Sequence, residues 1–156
     1  MNANDLRRTL LDAGQDKALV NALCQEFTPR LWAAPLAFLS TNSPSNVLAA
    51  SGGLQSLSVQ NPDTSGYALI THIGIVSDGP FLIQLTPTDL GAGLFVAPIS
   101  SETLWSYLDT PGRFPQSILL RGSDSLRADL TNDFGAVANN VRLTFHGYRL
   151  LPKNRV

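Results

Sequence analysis

At 156 residues the chain has room for one domain with a core of its own and not for a second full one. Charged residues make up only 15% of it, against roughly 25% in the average soluble domain, while apolar residues reach 44%. A net charge of −1 with scattered basic residues excludes the positive field that nucleic-acid binding uses, and the single cysteine, Cys24, excludes an intrachain disulfide or a thiolate metal cluster.

So small a share of charge has two readings. Either a partner covers part of the surface, or the surface is built from the Ser, Thr, Asn and Gln that the chain carries in quantity. One unpaired cysteine fits assembly in a reducing cytoplasm. The first eight residues are polar and lack the apolar run of a signal peptide. The most apolar window, residues 31–39, is interrupted by Pro35 and is half the roughly 20 residues a membrane helix needs. The expectation is a soluble, unprocessed protein that engages no membrane.

In chain order, Asn4 is the expected cap of a helix over 5–12 that buries Leu6 and Leu10 and ends at Gly14. A second helix runs from Gln15 to about Phe27, with Leu19, Ala22, Leu23 and Phe27 at helical spacing, and Pro29 stops it. Helices this short are unstable alone, so the arm of residues 1–37 has to dock, by preference on its own β domain and otherwise on a neighbouring subunit.

From residue 38 to 156 the texture changes to short apolar runs separated by Gly, Pro, Asn, Asp and Ser. The expected strands are 47–50, 54–60, 67–76, 81–85, 94–98, 117–121, 125–130 and 141–150. In the last, Val141, Leu143, Phe145 and Gly147 share one face, and Arg142, Thr144, His146 and Tyr148 share the other. The strand 67–76 is apolar on both faces, with Leu69, Ile73 and Ile75 opposite Ala68, Ile70 and Val76, which predicts a central strand covered on both sides. Residues 101–108 predict a short surface helix capped by Ser101 with Trp105 and Leu108 inward, in competition with an edge strand. About eight strands predict a mainly β fold, an antiparallel two-sheet sandwich that includes the jelly roll among its forms.

Chemistry is sparse. His72 and His146 lie far apart and belong to no metal-ligand pattern, and the sequence lacks His-Glu-x-x-His, Gly-x-Ser-x-Gly, a Walker loop and Gly-x-Gly-x-x-Gly. The aspartates sit mostly at turns, where they cap backbone. No catalytic, cofactor-binding or metal residue is assigned, and a non-enzymatic role is expected. Two polar-aromatic features are candidate interfaces: the row Arg142, Thr144, His146 and Tyr148, and the pair Trp105 and Tyr107.

The C-terminal third carries a resemblance. A strand leads into Gly122-Ser123-Asp124-Ser125-Leu126, a second strand ends at Asn132, and a last strand finishes with Gly147-Tyr148-Arg149. This pattern resembles the closing strands of small structural proteins of tailed bacteriophages. Gly122 and Ser125 shape the turn, Asn132 starts the next one, and Gly147 lets another backbone or ring approach closely. The resemblance implies a minor capsid, decoration or connector protein that packs against coat or other virion proteins as a homo-oligomer, a trimer or larger, assembled in the host cytoplasm. It implies Trp32, Trp105 and the arm as anchors, with Arg142 and Tyr148 as polar contacts. The same polar-aromatic row would also suit a carbohydrate- or receptor-binding module.

Overall fold

The computed structural model describes residues 1–35, 47–61, 64–88, 95, 97–106 and 112–153. The first helix, α1 (Ala3–Asp12), is capped by Asn2 and not by Asn4. Asn2 Oδ1 accepts the Asp5 N–H at 2.9 Å and Asp5 reaches back to the Asn2 N–H, a reciprocal box that satisfies two orphan donors. Gly14, at φ +72°, ends the turn as expected. Asp16 then caps α2 (Lys17–Glu26) by accepting from the N–H groups of Ala18 and Leu19.

Among the described residues nine strands and a third helix follow: β1 (Phe27–Pro35), β2 (Val47–Leu48), β3 (Leu54–Gln60), β4 (Tyr67–Ser77), β5 (Phe81–Pro87), β6 (Ile99–Ser100), α3 (Ser101–Ser106), β7 (Gly112–Arg121), β8 (Ser125–Asn132) and β9 (Asn139–Pro152). β1 is the strand that the sequence conceals. Pro29 and Pro35 read as strand breakers, yet an edge strand tolerates proline where the missing N–H faces away from the ladder. β1 is such an edge, paired with β9 from Phe27 opposite Pro152 to Pro35 opposite Thr144. Residues 27–35, counted with the arm on sequence grounds, are therefore part of a sheet. Of the strand expected at 94–98, Phe95, Ala97 and Pro98 are described and lie in no strand, positions 94 and 96 lie outside the described residues, and β6 follows at 99–100. The helix reading of 101–106 holds over the edge-strand one. Ser100 Oγ accepts the Glu102 N–H at 3.3 Å, whereas Ser101 Oγ accepts from the N–H of Phe81 at 3.1 Å and ties α3 to β5.

The sheets run β1–β9–β4–β7, with β2 also on β9, and β3–β8–β5–β6. All pairs are antiparallel. From β2 onward every connection except β5 to β6 crosses between sheets, which is the double Greek key of a jelly roll. The facing sides interdigitate in one core that joins Ile70, Ile73 and Phe145 of the first sheet to Phe81, Ile83 and Leu130 of the second.

A second apolar layer lies outside the first sheet. Leu6 and Leu10 of α1 and Val20 and Leu23 of α2 pack on Leu69, Leu119 and Leu150, with the Phe27 ring edge-on to Tyr67 at 5.2 Å. The helical arm thus docks on its own sheet, and that burial stabilises helices too short to persist alone.

One irregularity sets which side chains meet on that sheet. Ile70 pairs with Gly147 and His72 with His146, so Thr71 is an extra residue without a counterpart on β9. The bulge shifts the phase of β4. Ala68, Ile70, Ile73 and Ile75 all enter the sandwich core while Leu69 meets the helices. The single alternation expected along this strand, with Leu69, Ile73 and Ile75 on one face, is corrected accordingly. Only the first half is covered on both sides, since Val76 is 68% exposed.

Two buried asparagines tie the loops at one end of the sandwich. Asn132 donates to Ala49 O and Val137 O and accepts from the Phe134 N–H at 2.9 Å. Asn139, with no exposed surface, donates to Gly79 O and Pro80 O and accepts from the Gly79 N–H. Asn132 starts the turn the sequence assigns to it, through the Phe134 N–H, and with Asn139 it forms the polar bolts of a buried corner.

Candidate functional site

The outer face of the first sheet beside the helices gathers most of the polar chemistry. β9 presents Arg142, Thr144, His146 and Tyr148 there, as its alternation predicts. Arg142 is exposed and the other three are half-buried. The bulge adds two residues from β4: His72, directly across from His146, and Thr71, whose hydroxyl sits 2.7 Å from His72 Nδ1 and 3.3 Å from the carbonyl of His146. A consistent proton assignment has His72 Nδ1–H donating to Thr71 Oγ1, which donates to that carbonyl. Gly74, the next outer position on β4, leaves room for the His146 ring, whose Nε2 would lie 3.4 Å from a Cβ at that site.

Met1, Asp5, Arg8 and Thr9 of α1 close over Thr71, His72 and Tyr148 to form an open cleft of about 230 Å³. Arg8 and Asp5 face each other on its rim at 3.8 Å, both largely exposed, so their attraction is weak. The cleft offers hydroxyls, an imidazole, a phenol and one pair of opposite charges, which suits hydrogen bonding to a polar ligand. Among the described residues no group of three His, Cys, Asp or Glu is placed to hold a metal ion.

The outer face of the second sheet is different. Ser56 and Ser58 of β3, Arg127, Asp129 and Thr131 of β8, and Gln84 and Thr86 of β5 make a surface of short polar side chains. This supports the reading of low charge as a Ser/Thr/Gln surface. Its one ion pair is a fork: Arg127 Nη2 lies 2.8 Å from Asp129 Oδ2, Arg127 Nε donates to Oδ1 at 2.9 Å, and Ser56 Oγ donates to the same oxygen. Burial pushes the Asp129 carboxyl up, but the hydrogen bonds from Arg127 and Ser56, with the Arg127 charge, outweigh it and leave the carboxyl below its ordinary range.

Of the six candidate interface residues, Arg142, His146 and Tyr148 share one row. Trp32 is at the β1 position opposite Gly147, and Trp105 is in α3, but the side chains of both lie outside what the structure describes, and Tyr107 lies outside the described residues altogether. The neighbourhood of His72 with His146 was not legible in the sequence, because it arises from the pairing of strands 74 positions apart.

The sequence matches no protein-family model and no curated protein. Among solved structures it is similar to dimeric latent PorU from Porphyromonas gingivalis, at 12% identity and a TM-score of 0.35 over 81% of this chain. The chain spans 13% of that protein's length, and a likeness at this TM-score carries no argument about function. No helix among the described residues is long and apolar enough to cross a membrane.

Proposed function

We propose that the chain is a non-enzymatic structural subunit of a tailed-bacteriophage virion, a minor capsid, decoration or connector protein that packs as a homo-oligomer against coat or other particle proteins. The observation that supports this reading is where the resembling segments fall. Residues 114–132 and 141–150 belong to β7, β8 and β9, consecutive strands that alternate between the sheets, with β8 and β9 interior to theirs. Likeness in those strands is chiefly likeness of scaffold, since of the seven residues described as lining the α1 cleft Tyr148 alone falls in them. A protein recognisable by its scaffold works through shape, its affinity coming from area repeated over many copies. The test is light scattering of the purified chain, alone and mixed with the coat protein of its parent phage. A discrete oligomer that co-elutes with coat is expected, and a monomer that ignores coat overturns the proposal.

The α1 cleft favours a second reading, a carbohydrate- or receptor-binding module using Asp5, Arg8, Thr71, His72 and Tyr148. A glycan that raises the melting temperature of the wild type but not of Tyr148→Ala supports it; a screen without any such shift rejects it.

A further inference from the structure

The four sheet edges are not equivalent. β1 carries Pro29, Arg30 and Pro35. β7 carries Arg113 and Pro115, and its register with β4 is broken between Ile70 and His72. β6 is two residues long. Proline, charge, register breaks and brevity are the devices by which proteins blunt an edge against pairing. β3 has none of them. Over Leu54–Gln60 it holds neither proline, glycine nor charge, and it pairs with β8 without a register shift. Among the described residues its other side pairs with no strand. Leu54, Ser56, Ser58 and Gln60 are exposed while Leu57 and Val59 enter the core, so the strand is firmly seated, and its free side is open among the described residues.

We propose that β3 is a self-association strand, pairing antiparallel with β3 of a second copy so that the two four-stranded sheets become one sheet across a twofold axis. The occupant is a second copy because the strand is complementary to itself. Ser56-Leu57-Ser58-Val59-Gln60 alternates polar and apolar symmetrically about Ser58. Antiparallel pairing about Ser58 sets Ser58 against Ser58 and Ser56 against Gln60 on the outer face and Leu57 against Val59 at the core side, which matches polar to polar and apolar to apolar. The strand holds no charge with which to select a different protein. The contact closes at two copies, and larger assemblies with dihedral symmetry require an additional, different contact. This inference does not depend on the virion reading, since it needs only the strand.

Light scattering over a wide concentration range tests it, with the wild type expected to reach twice the chain mass of 16.8 kDa. Ser58→Lys puts a charge on the open edge and raises the dissociation constant by about tenfold or more; Ser58 stands opposite Arg127, so the like-charge pair also lowers the monomer's melting temperature by about a few degrees, and the constant is measured well below it. A wild type that stays monomeric at every concentration, or a dimer that Ser58→Lys leaves intact, overturns the proposal. The register has its own test in a Cys24→Ser background. Oxidising a mixture of Ser56→Cys and Gln60→Cys chains is expected to link one to the other, whereas either variant linking only to itself overturns the pairing about Ser58. Coat binding is scored separately, so a dimer that ignores coat leaves this inference standing while the virion reading falls.

Discussion

Gly147 lies directly opposite Ile70 at the edge of the β4 bulge, so close that a Cβ on it would overlap the backbone carbonyl of Leu69. The obstacle is backbone, which cannot swing aside as a side chain does. Gly147→Ala is therefore expected to destabilise the fold by about 1–3 kcal/mol or more, measured by urea unfolding. Gly74→Ala, whose Cβ would come no closer than 3.4 Å to the His146 ring and 3.7 Å to the Thr144 carbonyl, is the matched control and should cost far less. Equal losses would show that the bulge does not require the glycine.

Asn139 is buried with both ends of its amide engaged, and Asn140 next to it is exposed. Asn139→Ala strands the backbone groups of Gly79 and Pro80 and is expected to cost about 1–3 kcal/mol. Asn140→Ala, which gives up a solvent-exposed hydrogen bond to the Asp78 carboxylate, should cost about 1 kcal/mol or less. Thermal melts of the two variants decide whether the corner is bolted as described.

The Asp129 carboxyl is held below its ordinary range in the folded chain, so its ionised form stabilises the fold. That contribution is complete above the unfolded carboxylate value of about 3.9 and is lost as the pH falls through the lowered folded value. The stability gap between wild type and Asp129→Asn should be constant from neutral pH down to roughly pH 5 and shrink in more acid solution. A gap that widens on acidification contradicts the assignment.

Leu10 is fully buried between α1 and the sheet. Leu10→Ala should destabilise the chain by about 2–5 kcal/mol. If the helices form a layer distinct from the sandwich core, amide exchange quickens first in α1 and α2 while β4 and β9 keep their protection. Uniform loss of protection would make the two layers one cooperative unit.

The legible parts of this fold are those where local pattern and final environment agree. β3 is read at its exact bounds, and β9 alternates as written because one of its faces is core and the other is not. β1 is illegible because Pro29 and Pro35 carry the opposite local signal, which only its place at an edge removes. The bulge at Thr71 is illegible because β4 is apolar in either phase, so no residue marks where the parity changes. The cleft under α1 and the His72–His146 neighbourhood depend on docking and register between distant segments, which no local pattern encodes.

The asparagine-bolted corner also bears on how such a chain can change over generations. Asn139 spans from the start of β9 to Gly79 and Pro80, while Asn132 spans from the end of β8 to Ala49 and Val137. Each amide has a fixed reach. An insertion in the turn at 78–80 would pull Asn139 off its partners unless the loop at 133–138 altered with it. Lengths at this corner are therefore inherited together, and descendants of this chain should gain or lose residues there in concert or not at all.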